Sequence, residues 1–166
     1  MMFREVKIED LKINPFTLIG KEWMLITAGK ENNFNTMTAS WGFLGYIWER
    51  NVAATFIRPT RYTYQFSEKY NEFTLCFFEE KHKEALTLLG TVSGRDRDKV
   101  KESGLTPVFD GDFTYFKEAK LVFSCKKLYF GDLDNSNFLD KSIEKFYPKK
   151  DYHRMYFGEI IKVLTK

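Results

Sequence analysis

Short runs rich in β-branched and aromatic residues recur along the chain, separated by polar turns. They predict strands near Trp23–Ala28, Thr36–Trp41, Asn51–Ile57, Phe73–Phe78, Ala119–Phe130 and Met155–Leu164. The last two are long, which suits strands that bend across a barrel or reach into a partner subunit. Helices interrupt the series. Thr60–Lys69 follows Pro59, a common punctuation at a helix start. Lys81–Leu89 sets Ala85, Leu88 and Leu89 at helical spacing. Phe138–Phe146 gathers Phe138, Leu139, Ile143 and Phe146 on one side, with Asp140, Lys141, Glu144 and Lys145 mostly opposite. Strands dominate and no regular βαβ alternation appears. The pattern therefore predicts a mainly β fold, an antiparallel barrel with peripheral helices.

At 166 residues the chain reads as one domain, 1–166, without repeats, low-complexity tracts or a Pro/Gly/Ser linker. Aromatics make up 17% of it, with 17 Phe and 9 Tyr, which sets it apart from disordered chains. The formal charge of +3 comes from 26 basic and 23 acidic residues spread along the sequence, so no clustered basic face points to nucleic acid. No apolar run reaches the roughly 20 residues that span a bilayer. The opening segment Met1–Val6 lacks the apolar core of a signal peptide. Cys76 and Cys125 fall in strand-like runs and are expected to be unmatched buried thiols in a reducing compartment. These features describe a soluble cytoplasmic domain with no nucleic-acid or membrane partner.

Several chemistries are not indicated. Neither G-x-G-x-x-G nor G-x-x-x-x-G-K-[ST] occurs, and G-x-S-x-G is missing. The only histidines are His82 and His153, with no ligand cluster at metal spacing. Hydroxyls, amides, arginines and aromatics remain. Such a set serves a ligand that brings its own reactivity, as in a cofactor protein.

Four segments carry that set. In Asn35-Thr36-Met37-Thr38-Ala39-Ser40-Trp41-Gly42, strand alternation sends Asn35, Met37, Ala39 and Trp41 one way and Thr36, Thr38 and Ser40 the other. The hydroxyl face, with exposed strand amides, is expected to meet a polar ring edge; an ordinary amphipathic strand would show the same pattern. In Arg58-Pro59-Thr60-Arg61-Tyr62-Thr63, a helix start combines with two arginines and two threonines to favour an anion. Its bland counterpart is a surface helix capped by Thr60. Ser93-Gly94-Arg95-Asp96-Arg97-Asp98-Lys99 is either a phosphate-closing turn or a solvated charged loop. His153 enters a terminal strand whose Gly158 suggests a bulge or close backbone approach, and it serves either a ligand or the structure. A flat aromatic ligand with an anionic end suits the first two segments together, and flavin mononucleotide (FMN) has that form.

In this order and spacing the segments resemble the flavin reductase-like family, the FMN-binding split-barrel proteins that include flavoredoxin. Asn35–Trp41 is similar to its N-x-M-T-A-S-W strand. Arg58–Thr63 followed by Glu72-Phe73-Thr74 is similar to its phosphate-side segment and next strand. Ser93–Asp96 with Lys99 is similar to a family loop, and His153–Ile160 to its H-x-x-x-x-G-E-[VI] strand. The likeness spans about residues 14 to 163.

The resemblance implies an antiparallel split β-barrel of the FMN-binding type, assembled as a homodimer with FMN near the subunit interface. It places Asn35, Thr36, Met37, Thr38 and Ser40 along the flavin, with Trp41 flanking. Arg58, Thr60, Arg61 and Thr63 surround the phosphate, and Ser93 and Lys99 close the loop over it. His153 faces the side where a nicotinamide approaches. The aromatics of Gly45–Glu49 would narrow the entrance for a large substrate. The implied activity is that of an FMN-dependent oxidoreductase, reduced transiently by NADH or NADPH and passing electrons to a small-molecule or protein acceptor. Two other readings stay open: a flavoredoxin-like electron carrier that does not use pyridine nucleotide, and a non-catalytic binding protein on the same scaffold.

Overall fold

The computed structural model of the protein describes residues 2–166. Its elements are β1 (Arg4–Glu5), α1 (Pro15–Thr17, continued by a π-helical turn to Glu22), β2 (Met24–Lys30), β3 (Asn33–Ala39), β4 (Gly42–Ile47) and β5 (Arg50–Ile57). There follow α2 (Thr63–Lys69), β6 (Glu72–Phe77), α3 (Lys83–Thr91), α4 (Lys99–Ser103), β7 (Pro107–Asp110), β8 (Phe113–Phe116), β9 (Leu121–Asp132) and β10 (Arg154–Thr165). Asn14 starts α1 by accepting from the amides of Phe16 and Thr17, ahead of a proline at the first helical turn.

All six expected strands are present within a few residues of their predicted ends. Four were not foreseen: the two-residue β1, and β4, β7 and β8. Two glycines break the alternation of β4, and its side chains are mostly exposed. β7 and β8 are four-residue strands around an Asp110-Gly111-Asp112 turn, with Gly111 at φ +61°. The helix expected over Phe138–Phe146 is not formed. Asp140 accepts from the amide of Ser142 and starts a 3₁₀ turn over Lys141–Phe146 instead, while a separate 3₁₀ turn at Asn135–Asn137, begun by Asp134 accepting from Ser136, precedes Phe138.

The principal sheet runs β3-β2-β6-β9-β10-β5-β4, all antiparallel, with β1 added beside β10. The long strands bend by changing partners: β9 meets β6 only over Leu121–Lys126, whereas β10 meets β5 only over Arg154–Glu159. The path is open at both ends. β3 and β4 are edge strands, joined through Ser40 and Trp41, and the barrel is split along that seam.

Alternation distributes the core over both faces. Ile26, Leu75, Phe77, Phe123 and Cys125 point into the barrel, while Leu25, Cys76 and Val122 pack outward against Leu86 and Leu89 of α3 and Phe116 of β8. Cys76 and Cys125 thus lie on opposite faces and are free thiols; burial pushes Cys76 up to about 12 and Cys125 higher.

The bulge foreseen at Gly158 is a register shift between Phe157 and Gly158. A Cβ at 158 would sit 2.6 Å from the buried Phe73 ring and 2.9 Å from Cys125 Cβ. Gly158→Ala is therefore expected to destabilise the fold by about 1–3 kcal/mol, read as a lower urea midpoint with an unchanged slope.

Candidate functional site

The seam between β3 and β4 holds a cavity of about 230 Å³, lined by Met37 to Trp41, Phe56, Arg58, Arg61 and His153. Ser40, Trp41 and Phe56 also border a neighbouring apolar cavity of about 560 Å³ toward Phe16, Ile19 and Leu44. A polar cavity of about 920 Å³ lies around Asn35, Tyr62 and Gly94 to Lys99. One rim of the seam is cationic and another is aromatic.

The cationic rim is built on the C-terminal end of α3. Arg61 Nη2 donates to the Gly90 carbonyl at 2.7 Å, and Lys99 Nζ donates to the Leu89 carbonyl at 3.0 Å. A helix end offers partial negative charge and unpaired carbonyls, so both cations have a reason to settle there. Neither forms an ion pair among the described residues. Lys99 is 4% exposed, and burial together with Arg61 lowers its ammonium to about 8. Burial, then Arg58, lowers Arg61 as well. Two adjacent, partly desolvated charges that hold only carbonyls fit an incoming anion.

Arg58 is differently employed. Its guanidinium donates to Asp151 Oδ1 at 2.9 Å and to the Phe146 carbonyl at 2.7 Å, and it lies 4.8 Å above the Tyr147 ring. It anchors the irregular segment 133–153 against the end of β5. That segment supplies the aromatic rim: Trp41 stands edge-on to Phe146 at 5.5 Å and packs 5.1 Å from His153. His153 is buried, and its Nδ1 lies 2.7 Å from the Tyr147 hydroxyl. Burial and the charge of Arg58, partly opposed by Asp151, lower its imidazole to about 4.

The structure redistributes the sequence expectations. Met37, Thr38, Ser40, Trp41, Arg58, Arg61 and His153 come together around the seam, and Asn35 and Lys99 line the adjoining polar cavity. Thr36 does not reach either; it is fully buried, with its hydroxyl 2.8 Å from that of Thr27 and donating to the Ile26 carbonyl. The Thr38 hydroxyl donates to the Leu86 carbonyl. The hydroxyls of β3 are thus taken by β2 at Thr36 and by α3 at Thr38, and the strand keeps a free backbone edge at the seam. Thr63 is buried and accepts from Asn35 Nδ2 at 2.7 Å, which ties β3 to α2.

Thr60 is exposed and does not cap the helix. α2 begins at Thr63 after Tyr62, because Pro59–Arg61 form a turn closed by the Arg61 amide on the Arg58 carbonyl. Ser93 Oγ accepts from the Arg95 amide and shapes the loop before Lys99. Gly94 is required there, since a Cβ would stand 2.4 Å from Asn35 Oδ1. Tyr46 to Glu49 do not narrow the seam. They form the tip of the β4–β5 hairpin, with Trp48 and Glu49 at φ +55° and +56°, and Trp48 packs toward Tyr129 and Phe157. The carbonyls of Leu89 and Gly90 and the hydroxyl of Tyr147 were not foreseen. Backbone carbonyls carry no side-chain signal, and Tyr147 reaches His153 through a turn rather than a predicted element.

An antiparallel barrel split at two edge strands, with cations and aromatics bordering the split, places the chain among split-barrel proteins. The family description "flavin reductase like domain" matches residues 17–165, and the chain belongs to that family. No curated protein sequence matches. Among solved structures, the chain is similar to the FMN-binding domain of a flavin reductases-like enzyme from Shewanella baltica, with TM-score 0.71 and 15% identity over 99% of this chain and 77% of that one. It is similar to flavoredoxin of Desulfovibrio vulgaris (TM-score 0.69, 19% identity, 98% and 77%). An NADH:FAD oxidoreductase of Streptomyces globisporus also matches (TM-score 0.65, 13% identity, 87% and 75%). These likenesses confirm the split-barrel fold.

The lowered His153 gives a pH prediction. Between about 6.5 and about 4 the unfolded chain binds a proton there that the folded chain does not. Its contribution is fully present above pH 6.5 and is lost as pH falls through 4. Urea unfolding from pH 7 to 4 should show wild type losing up to about 3 kcal/mol more than His153→Gln over that window. Parallel profiles would contradict the assignment.

Proposed function

We propose that the chain binds FMN in the seam and acts as an oxidoreductase of the flavin reductase type, with NADH or NADPH as a transient reductant. The observation that carries this reading is the Arg61–Lys99 pair, a half-buried arginine and a buried lysine anchored only by carbonyls at the end of α3 beside an aromatic-walled cavity. That donor set fits a phosphate monoester, and the cavity wall of Trp41, Phe56 and Met37 fits a flat ring.

Bound FMN would supply the hydride-accepting ring system. Arg61 and Lys99 would hold its phosphate, and the free edge of β3 at Thr38 to Ser40 would offer backbone donors to its polar edge. Trp41, Phe56 and His153 would limit water. The chain has no dinucleotide fingerprint, which favours a pyridine nucleotide that docks only for reduction. The exposed aromatics Phe43, Tyr46, Trp48, Tyr129 and Phe130 support a homodimer. No helix among the described residues is long and apolar enough to cross a membrane, and the free buried thiols support a cytoplasmic setting.

The test is the visible spectrum after FMN addition and desalting, followed by anaerobic mixing with NADH or NADPH. Retained flavin that either nucleotide bleaches supports the full reading. Retained flavin that neither bleaches leaves an electron carrier, and no retention removes the cofactor assignment. Arg61→Ala and Lys99→Ala should each weaken FMN binding by about 1.5–3 kcal/mol. Arg58→Ala should weaken it less, because Arg58 is already engaged by Asp151 and Phe146. Affinity should fall as pH rises through about 8, where Lys99 loses its proton, and Lys99→Ala should abolish that dependence. Fluorescence titrations of FMN across pH 6–10 check both points.

A further inference from the structure

We propose that Tyr147 is a positioning residue that fixes His153 as its Nε2–H tautomer, so that the cavity wall presents a hydrogen-bond donor to a ligand carbonyl oxygen. Tyr147 is 4% exposed and His153 7%, and the phenol oxygen lies 2.7 Å from Nδ1. Burial raises the phenol, so it keeps its proton. That hydroxyl has no other hydrogen-bond partner among the described residues. Were Nδ1 to carry the imidazole proton, the phenolic proton would be left buried without an acceptor, which costs about 1–3 kcal/mol. The hydroxyl therefore donates to Nδ1, and the neutral ring carries its proton on Nε2.

Tyr147 cannot turn freely to do otherwise. Its ring lies beneath the Arg58 guanidinium, stacks on Phe138 at 6.1 Å and packs against Tyr152 at 4.9 Å. Nε2 has no hydrogen-bond partner among the described residues. Yet among the described residues Ser67 Oγ is the only side-chain polar atom both buried and unpartnered, so Nε2 opens onto the cavity that His153 lines. Arg58 faces the ring and opposes a second proton, while Asp151 is tied to Arg58. A neutral N–H at this place donates but does not take up a proton. It suits a carbonyl, including one whose oxygen gains negative charge during reaction.

This inference deepens the proposed function where the carbonyl belongs to a nicotinamide or a flavin; the tautomer itself stands apart from that reading. Long-range proton–nitrogen correlation spectra of protein with ¹⁵N-labelled histidine, recorded near neutral pH, decide the tautomer. Loss of a signal set in His153→Gln separates His153 from His82. Wild type is expected to show an unprotonated Nδ1 and a protonated Nε2. A protonated Nδ1 in the set that is lost in His153→Gln, or retained in His82→Gln where the former does not fold, overturns the proposal. Tyr147→Phe, with its fold checked by thermal unfolding, should give mixed tautomers; an unchanged pure Nε2–H form removes Tyr147 from the role. In FMN-loaded protein, Tyr147→Phe and His153→Ala should raise KM for NADH about tenfold, the worth of one hydrogen bond. His153→Gln, which keeps an N–H near the Nε2 position, should largely restore it, and equal KM values in all forms would overturn the ligand role. Failure to retain FMN would sink the proposed function while leaving the spectroscopic result intact.

Discussion

A sheet edge exposes amides and carbonyls that must find partners, and here the two edges of the split barrel meet at Ser40 and Trp41. The position of β3 against α3 decides what that edge faces. Thr38 donates to the Leu86 carbonyl, and Gly90 permits the contact, since a Cβ there would stand 3.1 Å from Thr38 Cβ. Helix and edge strand are thereby locked at close range. The end of α3 then falls beside the seam, and Leu89 and Gly90 turn their carbonyls toward Lys99 and Arg61. The charge of the site follows from a packing contact.

That chain of dependence separates arginines that look alike in the sequence. Arg58 and Arg61 flank the same Pro-Thr dipeptide. Arg58 is neutralised by Asp151 and braced by the Phe146 carbonyl and the Tyr147 ring, whereas Arg61 meets only a carbonyl dipole. A dipole orients a cation without cancelling it. Arg61 therefore keeps most of its attraction for an anion, and Lys99 beside it adds to the field. Arg58 instead holds together the segment that forms the other wall.

Much of this was legible in the sequence where a local rule governs. Runs of β-branched and aromatic residues marked the core strands, and Gly158 announced its bulge because only a small residue fits over Phe73. The segments Met37–Trp41 and Arg58–Arg61 do converge on one seam. Legibility ended where a long-range partner decides. Thr36 and Thr38 have the residue types of a ligand-facing strand, but β2 takes the Thr36 hydroxyl through Thr27 and the Ile26 carbonyl, and α3 takes that of Thr38. Phe138–Phe146 has a helical pattern of apolar residues, but Asp140 in its midst accepts from the Ser142 amide and only a 3₁₀ turn over Lys141–Phe146 forms. Asp151 was visible as a residue and invisible as the counterion of Arg58, which lies 93 positions away.

The two walls differ in kind, and the difference constrains any ligand. The α3 side is a regular helix end bearing cations on fixed backbone carbonyls. The opposite side is irregular chain, held by stacked rings of Phe138, Tyr147 and Tyr152 and by one ion pair. A molecule with one anionic end and one flat uncharged end can satisfy both only in one direction. Reversed, it would set an anion against Trp41, Phe56 and a neutral imidazole, and leave two partly desolvated cations facing an apolar ring. Orientation is thus set by electrostatics and desolvation before any specific hydrogen bond is made.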